Sequence, residues 1–404
     1  MRNYPHFDLP LSFEQAQQYV TSPSKVSQHS FYPFIAFDLS HRRYKGGAKV
    51  RPIRMAAHLA GYIFSYYAKL LSEAYEARNV GTPLAASVIA YRKGLGSNIH
   101  FAEAAFREVE RRRECVALAF DVKSFFDNID HKELKRSWSD LLGTPRLPDD
   151  HYAVFRAVTR YAVVDKADCY ARLGIGSDGD APRPLCAPKV FREQIRANRL
   201  ILTHSHDFGI PQGSQISAVL SNVYMLRFDE RMCALAGSIG GYYRRYCDDL
   251  LWICDHSWQG RVQTETRDAL SSLGSNLRIN DAKTVVSLFT CSATGNIACD
   301  GRPLQYLGFE YDGRHRLVRG STLSRYWRKA IVGIRSTKRK AAEAARLGGN
   351  PTPFRRGIYE RYTHLGQSNF IRYALRASRR MKARAIRRQV AGHWRRIQEE
   401  FEKP

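Results

Sequence analysis

Apolar positions along this 404-residue chain change period several times, and each change predicts an element. Met55 to Asn79 has apolar residues at helical spacing and predicts a long helix. Its aromatics Tyr62, Phe64, Tyr66 and Tyr67 read as core rather than as a stacking platform. Asn98 to Arg112 predicts a second helix. Val116 to Val122 is a short apolar run interrupted by one carboxylate, Asp121. This is the pattern of a buried central strand with an acid at its open end. Asp130-His-Lys-Glu133 has capping-box spacing for the next helix. Ser217 to Ala236 reads as a helix after a Pro-Gln-Gly turn. Gly240 to Cys254 reads as a hairpin: Tyr-Tyr-Arg-Arg-Tyr, then Cys-Asp-Asp, then Leu-Leu-Trp-Ile-Cys. Gln263 to Ser275 predicts a helix, Val285 to Leu288 a strand, and Leu304 to Tyr311 another hairpin. From Leu323 the chain is helical and basic, broken at Gly348-Gly-Asn-Pro-Thr-Pro353.

Less regular stretches lie between. Residues 1–45 mix aromatics with polar residues and suggest an N-terminal arm packed on the body. Lys45-Gly-Gly-Ala-Lys-Val-Arg-Pro-Ile53 is a basic hairpin candidate, and Tyr91-Arg-Lys-Gly-Leu-Gly-Ser97 a second basic turn. Residues 165–190, rich in Gly, Pro and Asp, read as a long loop.

Charge narrows the function class. The net charge is +26, which points to a polyanionic partner. From Ser321 onward there are 22 Lys and Arg against 5 Asp and Glu, an imbalance too large for pairing within the segment. A nucleic-acid backbone is expected there. There is no apolar run of membrane-spanning length, and Met1 to Pro10 has no apolar core of signal-peptide length. The expectation is a cytoplasmic protein without a membrane partner. The eight cysteines show no metal-ligand spacing and read as reduced thiols. His204 and His206 could form a metal pair, but two histidines so placed beside a loop are more often exposed.

The chemistry lies in carboxylates. Asp248 and Asp249 are adjacent at an expected tight turn, where they repel each other unless a cation neutralises them. A divalent metal with oxygen ligands is the simplest purpose. If the strand ending at Asp121 is a neighbour, three carboxylates converge. Two metals about 3.5–4 Å apart could then clamp an in-line phosphoryl transfer.

Four segments in order resemble the polymerase motifs of bacterial reverse transcriptases. They are Phe120-Asp121-Val-Lys-Ser-Phe-Phe126-Asp-Asn-Ile-Asp-His131; Gly209-Ile-Pro-Gln212-Gly213-Ser-Gln-Ile-Ser-Ala-Val-Leu-Ser-Asn222; Tyr246-Cys247-Asp248-Asp249; and Asn280-Asp-Ala-Lys283-Thr284 with Leu304-Gln-Tyr-Leu-Gly-Phe309. Group II intron and retron enzymes have similar blocks. The resemblance implies a right-hand α+β polymerase: a palm with an antiparallel sheet plus helices, fingers, and a helical thumb. By that likeness 46–115 and 150–208 are fingers, 116–149 and 209–312 palm, and 313–404 a basic thumb.

Roles follow from the same resemblance. Asp121, Asp248 and Asp249 are the catalytic carboxylates, with the Val122 carbonyl as a further ligand to two Mg²⁺ ions, or Mn²⁺ in their place. Phe126 falls where the family has its sugar gate; the alternative is a core aromatic. Gln212 and Gly213 lie against the incoming nucleotide. Lys49, Arg51 and Arg54 are triphosphate candidates, or else solvated hairpin charges. Lys283 could protonate pyrophosphate, or be a surface lysine. Tyr306 to Phe309 would support the primer terminus. Arg372, Arg376, Arg379, Arg380, Arg384, Arg387 and Arg388 would grip phosphates of an RNA/DNA hybrid or a structured RNA. Tyr373 and Trp394 could stack on bases or pack on the palm.

Residues 313–404 show no pattern of a maturase-type region, an HNH nuclease, the retron thumb signature or an RNase H domain, and none is expected there. The chain looks most like the defence-associated reverse transcriptases of bacteria, class 2 among them. The expectation is therefore RNA-directed DNA synthesis from dNTPs on a bound noncoding RNA in antiphage defence. Untemplated or protein-primed synthesis by the same aspartates, and a non-catalytic RNA-binding scaffold, are the alternatives.

Overall fold

A computed structural model describes residues 4–42 and 48–403. Twelve strands are present among them: β1 (Phe34–Arg42), β2 (Ala48–Met55), β3 (Cys115–Asp121), β4 (Ala162–Asp165), β5 (Ile201–Thr203), β6 (Tyr242–Tyr246), β7 (Asp249–Cys254), β8 (Val285–Cys291), β9 (Ile297–Gly301), β10 (Leu304–Tyr306), β11 (Phe309–Tyr311) and β12 (Arg316–Val318). They form a five-stranded sheet in the order β6-β7-β3-β8-β9, a four-stranded sheet β2-β1-β4-β5 and a three-stranded sheet β10-β11-β12. The five-stranded sheet is antiparallel throughout. The α+β expectation holds. No helix among the described residues is long and apolar enough to cross a membrane.

β3 is apolar along nearly its whole length because it is covered on both faces. Val116, Leu118 and Phe120 enter one core with the helices His58–Asn79, Ser217–Tyr224 and Leu226–Ser238. Cys115 and Ala117 face a second core with helix Asn98–Arg112, β10–β12 and helix Phe370–Arg380. The two-residue period of the strand assigns each side chain to one core. β7 repeats the pattern, with Leu250 and Trp252 on the first face and Leu251 and Ile253 on the second.

Several sequence expectations change. Residues 34–42 do not belong to a packed arm; they form β1, paired with β2 on one side and in parallel with β4 on the other. Of the aromatics that suggested an arm, Phe34 is buried and Phe37 half-buried as residues of β1, whereas Phe13 is exposed on a short helix, Phe13–Val20. The expected loop at 165–190 shrinks, because Asp165 caps a helix at Lys166–Leu173 by accepting from the amides of Ala167 and Asp168, and Gly174 ends it at φ +68°. The helix expected over Ser217 to Ala236 is two, Ser217–Tyr224 and Leu226–Ser238, parted at Met225. The long helix begins at His58 rather than Met55, which ends β2. Its start is capped from a distance: Asp8 accepts from the amides of His58 and Leu59 at 2.8 and 2.9 Å. The C-terminal segment is helical as expected, with a 27-residue helix Gly320–Arg346 before the Gly-Pro break and four shorter helices after it.

Candidate active site

The five-stranded sheet brings the aspartates to one end. Asp121 closes β3 and Asp249 opens β7, and the two are direct cross-strand partners. Both fall on the parity of Ala117 and Leu251, the face of the second core. Asp248 lies in the two-residue turn that joins β6 to β7, where Tyr246 pairs with Asp249. Cys247 supplies the positive φ (+59°) that so tight a hairpin turn requires. The amide of Val122 donates to the Asp248 carbonyl at 3.0 Å, which ties the turn to the strand end. On the other side the amide of Asn280 donates to the Asp121 carbonyl at 2.7 Å.

Electrostatics follow from this crowding. Burial pushes the Asp249 carboxyl up to about 7, helped by repulsion from Asp248 and Asp121. Burial also raises Asp248, with Asp121 adding to the effect. Lys283 Nζ donates to both oxygens of Asp121, at 2.8 and 2.7 Å, so an ammonium sits where that carboxylate would otherwise meet a cation. Among the described residues no three acidic, His or Cys side chains already stand close enough together to hold an ion. The donor set nevertheless suits Mg²⁺. It offers hard carboxylate oxygens, those of Asp248 and Asp249 made reluctant to ionise by burial and mutual repulsion, with one counter-charge at Lys283.

The surroundings connect distant segments. Phe126 lies in a short helical turn, partly buried and edge-on to Phe125 at 5.4 Å. Gln212 Nε2 donates to Asp127 at 2.9 Å, and its carbonyl accepts from the Arg54 amide at 3.2 Å. One residue thus links β2 to the turn that holds Phe126. Gly213 has φ +95°, a conformation that explains glycine there better than crowding does. Arg54 is partly buried on β2; the side chains of Lys49 and Arg51, on the same strand, lie outside the described residues. Tyr306 and Phe309 are buried beneath the β10–β11 turn, where Leu307 and Gly308 both have positive φ. The histidine pair is used for packing: His204 stacks on Tyr161 at 4.6 Å, and its Nε2 lies 2.7 Å from the Phe208 carbonyl oxygen.

Three residues were given no role in the sequence reading, although Tyr91 and Asn280 lie in segments it singled out. Arg245 is fully buried on β6, and its guanidinium grips Asp229 on helix Leu226–Ser238 through three bonds of 2.6–3.0 Å. Its Nη1 also donates to the Cys247 carbonyl at 3.1 Å, inside the turn. The available signal was parity, since Tyr243 and Arg245 share the inward face of β6 and Arg245 is its lone charge. Tyr91 donates its hydroxyl to Cys247 Sγ at 3.4 Å. Asn280 Nδ2 reaches Asp121 at 3.3 Å.

The basic C-terminal residues divide. Arg380 is paired with the buried Glu103 at 2.7 Å, and Arg372 Nε donates to the Gly366 carbonyl. Arg376, Arg379, Arg384, Arg387 and Arg388 are exposed and have no carboxylate partner among the described residues. Tyr373 packs on Phe309 and Trp394 on Tyr359, so both rings are engaged by protein.

A family model described as reverse transcriptase (RNA-dependent DNA polymerase) matches residues 49–311. Among solved structures, apo telomerase from Candida tropicalis, truncated from its C-terminal domain, is similar with a TM-score of 0.48 and 12% identity, over 74% of this chain and 58% of that one. Telomerase from Candida albicans with a TWJ fragment of telomeric RNA gives 0.45 and 13%, over 96% and 59%. The 3Dpol RNA-dependent RNA polymerase of Sicinivirus gives 0.44 and 13%, over 76% and 57%. The chain therefore spans 57–59% of the length of these three structures.

Proposed function

We propose a reaction for this chain from the premise that it belongs to the reverse transcriptase (RNA-dependent DNA polymerase) family. It copies RNA into DNA by nucleotidyl transfer, with Asp121, Asp248 and Asp249 as the catalytic carboxylates. The observation that carries this reading is the cross-strand pairing of Asp121 with Asp249 beside the Asp248 turn.

Asp121, Asp248 and the Val122 carbonyl would hold two Mg²⁺ ions, with Asp249 completing the site. When bound, they would lower the pKa of the primer hydroxyl and neutralise the leaving phosphates. The protein's own residues do the rest. Phe126 lies on the turn that Gln212 braces through Asp127, and there it would exclude a ribose 2′-hydroxyl. Arg54, with Lys49 and Arg51 on the same strand, would bind the triphosphate. Lys283 holds a proton next to Asp121 and would deliver it to departing pyrophosphate once displaced from the carboxylate. The turn between Tyr306 and Phe309 would support the primer end.

On this reading the sheet β2-β1-β4-β5 belongs to the fingers, the five-stranded sheet to the palm, and the helices after residue 320 to the thumb. The exposed arginines of the thumb would follow a hybrid duplex or a structured noncoding RNA by its phosphates. A bacterial antiphage role is the biological setting that the sequence resemblance suggests.

The test is to purify the chain with its bound nucleic acid, add Mg²⁺ and labelled dNTPs, and sequence both RNA and product. DNA complementary to a co-purified RNA, absent from Asp248→Ala/Asp249→Ala, is the expected result. Mutant-sensitive DNA without a complementary RNA would replace templated by untemplated or protein-primed synthesis. DNA synthesis equal in the mutant would overturn the assignment of the site.

A further inference from the structure

We propose that a basic cavity at the end of the palm sheet remote from the aspartates is a second binding site for RNA backbone phosphates. The cavity is about 590 Å³, and its wall includes Arg107, Arg314, His315, Lys382, Arg384 and Arg388. Three separate segments supply these cations: helix Asn98–Arg112, the turn between β11 and β12, and the chain around helix Arg384–Val390. One carboxylate, Glu110, also lines it, but Arg316 already holds both oxygens of Glu110 at 2.5 and 2.6 Å. Arg107 is paired with Glu103 and His315 with Asp312. Arg314, Lys382, Arg384 and Arg388 have no carboxylate partner among the described residues. Cations from three segments gathered without counter-charge repel one another, and a bound polyanion removes that cost.

Location separates this cavity from the catalytic end. Helix Asn98–Arg112 runs directly into the start of β3, and the Arg112 side chain donates to the Gly240 carbonyl before β6, while Arg113 donates to Cys291 at the end of β8. Tyr311, at the base of the β11–β12 turn, stacks on Phe106 and on Phe289. Phe289 pairs with Cys115, at the opposite end of β3 from Asp121. Seven residues of strand at about 3.3 Å each put the two ends roughly 20 Å apart.

The lining also indicates the ligand. Its remaining residues are Met381, Ala383 and Ala385; no Phe, Tyr or Trp lines it, and its one ring, the His315 imidazole, is held by Asp312 at 3.2 Å. A site rich in cations, whose single ring is already engaged by a carboxylate, favours phosphates over bases. It would anchor an RNA strand whatever its sequence, while another part of that RNA lies at the aspartates.

The proposal rests on the RNA-directed reading above, and its test keeps the two apart. Binding of fluorescein-labelled poly(U) RNA is measured across a salt series for wild type and for Arg314→Glu/Lys382→Glu. A charge-matched control, Lys69→Glu/Arg261→Glu, changes exposed cations elsewhere. The expected result is roughly tenfold weaker binding and a salt slope lowered by about 1.4, the loss of two phosphate contacts to a single strand. The control should change neither as much, and nucleotide incorporation at saturating primed template should be unaltered in both. Equal binding by wild type and Arg314→Glu/Lys382→Glu, or an equal loss in the control, would overturn the site. Displacement of poly(U) by inorganic triphosphate at equal phosphate concentration would replace RNA with a small polyanion. Absence of incorporation in wild type would count against the reaction and leave the binding comparison intact.

Discussion

The guanidinium of Arg245 and the carboxylate of Asp229 form an ion pair from which water is wholly excluded, with Nη2 to Oδ2 at 2.6 Å. Such a pair is costly to desolvate and is repaid only by good geometry and further hydrogen bonds. Here the further bonds are specific. Tyr243 donates to Asp229 at 2.7 Å, Arg245 donates to Asn222 at 3.2 Å, and its remaining nitrogen reaches the Cys247 carbonyl. The pair therefore links helix Leu226–Ser238 to the turn carrying Asp248.

Breaking this pair should destabilise the protein strongly. Arg245→Met leaves Asp229 buried without its partner, and a loss of roughly 3–5 kcal/mol is expected. Arg245→Met/Asp229→Leu should recover most of that stability in urea denaturation. It should still incorporate nucleotides more slowly, because the Cys247 carbonyl has lost its donor. A double variant with wild-type kcat would show that the pair does not position the turn.

Asp249 should make metal-free stability depend on pH. Its carboxyl titrates near 7 in the folded protein against an ordinary value of 3.8. Between those values the folded state binds more protons than the unfolded chain, so this group's contribution falls as pH rises and is fully unfavourable above about 7. Asp249→Asn should raise the metal-free Tm at pH 8 by roughly 2–4 °C and do little at pH 4. Mg²⁺ should stabilise wild type more at pH 8 than at pH 5.5. Thermal melts across pH check this, and a pH-independent difference between wild type and variant would contradict it.

Lys283 and a metal should compete for Asp121. The ion pair is half exposed, so Lys283→Met should cost no more than about 1 kcal/mol of stability. Removing the ammonium should lower the Mg²⁺ concentration for half-maximal activity, and removing the proton donor should lower kcat about 10²-fold. Unchanged Mg²⁺ dependence in a titration would refute the competition.

Phe126 should set sugar choice. Phe126→Ala is expected to raise ribonucleotide incorporation relative to deoxynucleotide by about 10–100-fold, measured as the ratio of kcat/KM values. Asp127→Ala, which releases Gln212, should weaken nucleotide binding through KM without altering that ratio. A ratio that moves equally in both variants would mean that the turn as a whole sets selectivity, and not the ring.

Much of the site was legible because its signals are contiguous. The apolar run ending at Asp121, the Cys-Asp-Asp turn between aromatic and apolar segments, and the Pro-Gln-Gly turn each need only neighbours in sequence. The helix Asn98–Arg112 was readable for the same reason, its buried stripe recurring at one period. Expectations failed where punctuation misled: Asp165 and Gly174 bound a helix inside what looked like loop. The first strand was missed because its partners, β2 and β4, lie on different stretches of chain.

The sequence by itself determined which residues could do the chemistry, because carboxylates, turn residues and apolar periods carry that information locally. Tertiary structure decided which of them meet. Lys283 reaches Asp121 across 162 positions, Arg380 reaches Glu103 across 277, and the cations of the remote cavity come from three segments. The physical reason is strand register: side chains alternate between the two cores, and a slip of one residue would exchange every face. Only the pairing of Asp121 with Asp249 selects the register that puts both carboxylates on one side and buries Arg245 on the other.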